Sequence, residues 1–331
     1  MATLRNLITD IGGIRVGHAG DAKLGSGVTA IVFDHAVVAS VDVRGGGPGT
    51  RETALLEPAL TVEGIDAIVL SGGSAFGLDA ASGVQAFMRE QGRGFRIRDA
   101  VVPIVPGAIM FDLLNGGDKN WGQYPPYREL AYAAAKSAAT DFALGSSGGG
   151  LGATTANLKG GVGSASAMVG DGITVGAIVI VNAVGTTVIG DGPHFWAAPF
   201  EVNKEFGGRG WPAKISSADL AIRAKGGPAE NTTIALIATD AKLTKAQCNR
   251  LAVMAQVGLA RAIYPVHTPL DGDVVFGVAT GAKPLADPFY GLAELGMVAA
   301  NTMSRAIARG IYEAKALPFP NALPSWHDRF G

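Results

Sequence analysis

Residues Gly226-Gly227-Pro228-Ala229-Glu230-Asn231-Thr232-Thr233-Ile234-Ala235-Leu236-Ile237 join a run of chain breakers directly to an apolar, β-branched segment. Gly226, Gly227 and Pro228 mark a loop, and residues 232–239 read as a buried strand. The junction therefore fixes a threonine hydroxyl at the first residue of a core strand, directly after an asparagine. A hydroxyl held there is placed to attack the carbonyl of the residue before it. Breaking the Asn231–Thr232 bond would give Thr232 a free α-amine beside its own hydroxyl, which pairs nucleophile with base. Such an amine has a pKa of about 7.7–8.0 and accepts a proton near neutrality. Asn231-Thr232-Thr233 also fits the N-glycosylation pattern, and threonine is a common strand opener, so the junction alone leaves all three readings open.

The chain has 331 residues, enough for one large or two small domains. Only 17% of them are charged, against roughly 25% in ordinary soluble domains, which points to a large core, a buried oligomer interface, or both. The 48 glycines are scattered through apolar segments without a period, so a collagen-like or low-complexity chain is excluded. A net charge of −1 without a basic cluster argues against a nucleic-acid partner. No apolar run approaches the 18 or so residues of a membrane span. Residues 1–10 lack the apolar core of a signal peptide. The single cysteine, Cys248, has no partner for an internal disulfide. A cytoplasmic protein without membrane association is expected, which weakens glycosylation at Asn231.

Along the chain, residues 13–18, 27–33 and 37–43 read as strands, the last two joined through Asp34-His35-Ala36 as a hairpin. The loop Arg44-Gly45-Gly46-Gly47-Pro48-Gly49-Thr50 suggests a phosphate cradle but lacks the Gly-Lys-Ser/Thr ending of one, which favours a structural turn. Strand 65–70 runs into Ser71-Gly72-Gly73-Ser74-Ala75-Phe76-Gly77 and a helix to about residue 91. This is close to a nucleophile elbow, but Phe76 stands where the elbow needs glycine. Ser74 is thus a competing nucleophile, or merely part of a helix start. Residues 101–110 form a strand bent by Pro103 and Pro106, and 125–139 a helix. The glycine-rich stretch 145–153 matches a dinucleotide loop only loosely. Lys159, between Leu158 and Gly160, is either an exposed loop lysine or a buried one of lowered pKa.

Residues 161–169 and 173–182 read as neighbouring strands, and 184–189 as a continuation. Asn182, at the end of an apolar strand, must satisfy its amide, either as a turn cap or as an oxyanion donor. Thr244 and Gln247 form a capping box for a helix to about residue 263, with Cys248 in its core face. His267 precedes Asp271-Gly272-Asp273, which leads into strand 274–280. The two carboxylates are placed to orient an ammonium group or simply to make a turn. They lack the clustered ligands of a metal site, so neither a metal nor a cofactor is expected. Residues 292–314 form the last helix.

Asn231-Thr232-Thr233-Ile234, Pro265-Val266-His267-Thr268 and Asp271-Gly272-Asp273 resemble the 6-aminohexanoate-oligomer (nylon) hydrolases. Gly17-His18, Ser26-Gly27-Val28-Thr29 and 71–77 are similar to the N-terminal half of the wider superfamily of L-aminopeptidase/D-Ala-esterases and β-peptidyl aminopeptidases. The resemblance implies an α/β protein with the αββα sandwich fold, two stacked sheets flanked by helices. It implies a single domain, 1–331, made as a precursor and cut into residues 1–231 and 232–331. In that reading Thr232 is the nucleophile, Asn231 the new C-terminus, Asn182 the oxyanion donor, Lys159 a lysine beside the nucleophile, and Asp271 with Asp273 a carboxylate pair. Threonine with Asp-x-Asp, rather than serine with Ser-x-Glu, places the chain nearer the nylon hydrolases. Phe111 stands where that subfamily has tyrosine, and with Ser74 is assigned to the substrate pocket. The implied substrates are small peptides or ω-amino acid oligomers such as those of 6-aminohexanoate. An aminopeptidase of α- or β-peptides, and an inactive binding protein on the same fold, are the alternatives. The implied assembly is a homotetramer of cleaved heterodimers.

Overall fold

The computed structural model describes residues 4–225 and 231–331. The strands are β1 (Ile14–Asp21), β2 (Ser26–Val43), β3 (Gly49–Arg51), β4 (Gly64–Ser71), β5 (Phe95–Ile97), β6 (Ala100–Val102), β7 (Gly107–Ile109), β8 (Gly161–Val169), β9 (Ile173–Asn182), β10 (Thr232–Ala241) and β11 (Val274–Lys283). The helices are α1 (Ala80–Glu90), α2 (Tyr127–Lys136), α3 (Lys245–Ala262), α4 (Tyr290–Tyr312) and α5 (Trp326–Phe330). Hydrogen bonding links the strands in the order β3-β7-β4-β2-β11-β10-β9-β8, with β1 also on β2, while β5 and β6 pair by themselves.

The side-chain alternation of the strands sorts the core into three layers. Ile31 and Phe33 of β2, Ile68 and Leu70 of β4, Ile178 and Ile180 of β9, and Ile234 and Leu236 of β10 meet in one cluster between two strand layers. Their sequence neighbours point the other way. Ala30, Val32, Ala67 and Val69 pack under α1 and α2, while Val179, Val181, Ala235 and Ile237 pack under α3 and α4. Helices, sheet, sheet, helices is the αββα sandwich. It explains why β9 and β10 are apolar at consecutive positions, since each strand is buried on both faces. Small residues let the layers approach: a Cβ on Gly163 of β8 would lie 1.8 Å from the Ala306 carbonyl of α4.

Two expectations are corrected. Residues 27–43 are not a hairpin but the single 18-residue strand β2. Its first half already has β1 on one side and β4 on the other, so residues 37–43 have no edge there to return to. They run on to pair with β11, and an irregularity in the β4 register between Val32 and Val37 takes up the bend at Asp34-His35-Ala36. Because β2 serves both layers, the two stacked sheets are one continuous hydrogen-bonded surface. Residues 184–189 do not extend β9; they make only the isolated bridges Thr186–Tyr264 and Val188–Phe195. The neighbours of β9 stop where it stops, at the pairs Gly161–Val181 and Thr232–Asn182, so no ladder is available beyond. Among the described residues, no helix is long and apolar enough to cross a membrane.

Candidate active site

Thr232 opens β10 directly opposite Asn182, the last residue of β9. Thr232 has the same strand parity as Ile234, and Asn182 the same as Ile180, so both side chains lie on the face between the layers, at its open end. Asn231 and Thr232 are buried. The Thr232 hydroxyl donates to the carbonyl oxygen of Asn231, and the amide of Gly272 donates to the same oxygen at 3.1 Å. The carbonyl of the Asn231–Thr232 bond thus carries two donors, one of them the hydroxyl of the residue that follows it. Gly272 is glycine because nothing larger fits: its Cβ would be 2.8 Å from both Thr232 Oγ1 and the Gly47 carbonyl. Residues 226–230, the loop before this junction, lie outside the described residues.

The carboxylates on either side of Gly272 are both buried but differently used. Asp273 is a structural hub: Oδ1 accepts from the Thr233 amide at 3.0 Å, and Oδ2 from the His267 amide at 3.0 Å and in contact with His267 Nδ1 at 2.8 Å. His267 holds this position at a φ of 55°. Asp271, in contrast, has no well-aligned hydrogen bond on either oxygen among the described residues and is met only weakly by the Val184 amide. Burial, and then the negative charge of Asp273, hold its carboxyl well above the usual carboxylate range, while Lys225 pulls the other way. Among the described residues, no group of three or more metal-ligating side chains is assembled.

Asn182 is held at both ends. Oδ1 accepts from the Thr154 amide at 3.0 Å and from Lys225 Nζ at 2.9 Å; Nδ2 donates to the Phe111 carbonyl at 3.1 Å. Phe111, Thr154 and Lys225 also line a cavity of about 380 Å³, together with Asp112, Lys159 and the C-terminal residues Leu317 and Leu323. Lys159 is the buried lysine of the two readings, 1% exposed. Its ammonium donates to the carbonyls of Gly150, Ala153 and Gly160 at 3.0, 2.9 and 2.7 Å, and not to Thr232. Burial lowers its pKa to about 7. Three acceptors call for three N–H donors, which only the charged form offers.

Asp112, which sequence reasoning left in a loop, is buried in the cavity wall, accepting from Ser26 Oγ at 2.6 Å and the Gly73 amide at 2.8 Å. Burial raises its pKa despite those donors. Ser74 sits in the left-handed region (φ 53°), as a serine on a tight strand-to-helix turn would. Its hydroxyl has no hydrogen-bond partner among the described residues, and it is not among the residues that line the cavity. Sequence reasoning also passed over Gly272 as an amide donor and Lys225 altogether. The glycine between two aspartates was a visible signal; Lys225 had none.

A 42% identical "uncharacterized aminopeptidase" of Mycobacterium tuberculosis aligns over 98% of each chain. A 6-aminohexanoate-oligomer endohydrolase of Agromyces is 28% identical over 82% of this chain and 74% of its own. The solved L-aminopeptidase D-Ala-esterase/amidase of Ochrobactrum anthropi, described as a variant of the Ntn hydrolase fold, has a TM-score of 0.72 at 21% identity. It covers 98% of this chain and 91% of its own, which establishes the shared fold. The model of Peptidase family S58 matches residues 6–322, all but the two ends. With that match and a relative of 42% identity along its whole length, the chain belongs to peptidase family S58.

Proposed function

We propose that the chain is a precursor that breaks its own Asn231–Thr232 bond and then hydrolyses amides with Thr232 as N-terminal nucleophile. The observation that carries this reading is the convergence of the Thr232 hydroxyl and the Gly272 amide on the Asn231 carbonyl oxygen. Oγ1 bonds to the Asn231 carbonyl carbon, and its proton passes to the Thr232 nitrogen as the C–N bond breaks. Water then adds to the resulting ester, releasing the Asn231 carboxylate and leaving Thr232 with a free hydroxyl and a free amine. In turnover the amine takes the hydroxyl's proton, Oγ1 attacks the substrate amide carbon, and Asn182 Nδ2 stabilises the developing oxyanion; the proton passes to the leaving amine as the substrate C–N bond breaks, and water then hydrolyses the acyl ester to free Thr232. Asp271 and Asp273 frame the new amine, and Lys159 supplies fixed positive charge nearby.

The substrates are short peptides or ω-amino acid amides. The cavity of about 380 Å³ suits a residue or two and lies at the small end of ligand pockets, about 300–1,000 Å³. The 42% identical aminopeptidase favours N-terminal residues of peptides over the longer oligomers taken by the 28% identical endohydrolase. Phe111 in place of tyrosine does not argue for an inactive protein, since it reaches Asn182 through its backbone carbonyl.

Denaturing gels, intact mass and N-terminal sequencing of the purified protein are expected to show residues 1–231 and 232–331. Thr232→Ala stays uncut and inactive, whereas Ser74→Ala is processed like the parent. An active, full-length parent chain would refute the nucleophile assignment. A screen of the processed protein against α-peptides, β-peptides and 6-aminohexanoate oligomers then ranks the substrates.

A further inference from the structure

An asparagine amide has two unlike ends, and a strand terminus rarely dictates which end faces the chemistry. Here three partners do. The Thr154 amide and the Lys225 ammonium both donate to Asn182 Oδ1, and the Phe111 carbonyl accepts from Nδ2. Turning the amide over would set Nδ2 against two donors and Oδ1 against a carbonyl. Lys225 adds more than a hydrogen bond. A cation on Oδ1 draws electron density through the amide and makes the Nδ2 hydrogens better donors. The lysine is itself anchored, because its backbone amide donates to the Val184 carbonyl at 2.9 Å, two residues beyond Asn182. It precedes the Asn231–Thr232 bond, so it stays on the same fragment as Asn182 after the cut.

We propose that Lys225 is a positioning residue for amide hydrolysis, holding Asn182 so that Nδ2 faces the reacting carbonyl and strengthening it as a donor. This rests on the reading of Asn182 as the oxyanion donor. It gives Lys225 no proton to move, and it is separate from the part of the cavity wall that Lys225 forms. It also separates the two cations of the site: the buried Lys159 is spent on three backbone carbonyls, whereas the half-buried Lys225 acts on the side chain of Asn182.

The test is steady-state kinetics of processed protein, its cut state verified by mass, on alanine, β-alanine and 6-aminohexanoate p-nitroanilides. Lys225→Met is expected to lower kcat on the order of 10-fold with little change in KM, less than the order of 10²-fold expected for Asn182→Ala. The double variant should be no slower than Asn182→Ala alone, because the proposed effect of Lys225 on the rate passes through that amide. Lys225→Arg should restore most of the rate. Parent-like kcat in Lys225→Met, a change confined to KM, or losses that multiply in the double variant would overturn the inference while leaving the amidase reading intact. Parent-like kcat in Asn182→Ala would overturn the oxyanion reading and this inference together, as would a processed parent that turns over none of the probes. Urea unfolding of each variant separates lost positioning from lost fold, and Lys225→Gln replaces the methionine variant if the latter unfolds.

Discussion

A buried carboxyl group without a well-aligned hydrogen bond is a cost to the fold, and Asp271, met only weakly by the Val184 amide, is such a group. Its native pKa lies above the unfolded value, so the unfolded chain releases its proton first as the pH rises. The penalty is absent in acid, grows from about pH 4 upward, and is complete above the native pKa. In the uncut Thr232→Ala background, Asp271→Asn is therefore expected to stabilise the protein at pH 7 by about 1–3 kcal/mol. The gain should shrink toward pH 4 in thermal or urea unfolding. An unchanged or lowered stability at pH 7 would mean that the carboxyl has a partner after all. The residue that harms the fold is one the proposed chemistry uses, and its type and position were visible in the sequence. So were Thr232 and Asn182. Gly272 was visible as a turn glycine but not as a donor, because its contribution is a backbone amide, and Lys225 was hidden because its partner lies 43 residues away.

At the scale of elements, legibility followed locality. The bounds of β8 and β9 were read as observed, and Thr244 with Gln247 makes the expected capping box of α3. These depend on neighbours in sequence. The hairpin reading of β2 failed because its outcome depends on β1 and β4 occupying both edges. The register that sets Thr232 against Asn182 is equally non-local. The glycines of β8 were legible only as breakers, yet they are contact points. Gly163 receives the Ala306 carbonyl of α4 and Gly310 lies over it. Gly163→Ala must push a helix off the sheet and is expected to cost about 1–3 kcal/mol or more, measured as a shifted urea midpoint at constant slope. Parent-like stability would show that α4 yields without loss of packing.

For the whole molecule, the proposed cut falls in an unusual place. Residues 232–331 supply β10 and β11, which lie between β2 and β9 of residues 1–231. Separating the fragments would open the sheet on both sides. The processed protein should therefore unfold in a single transition that includes dissociation, and its Tm should rise with protein concentration, while that of Thr232→Ala should not. A concentration-independent Tm for the cut form would mean that one fragment keeps its structure alone. Length left one large or two small domains open, and the family resemblance implied one. The interleaving was not legible, because it arises from strand order alone.

The Gly272 amide that polarises the Asn231 carbonyl arrives on the segment leading into β11. That segment reaches the carbonyl only when β11 has docked beside β10 and β2 in register. A chain still searching for its strand order cannot assemble the pair of donors. On the proposed cleavage, the broken bond is thus a permanent mark that folding has finished, made once per molecule and not erased if the protein later unfolds. The proportion of cut chain on a denaturing gel counts the molecules that have ever been native.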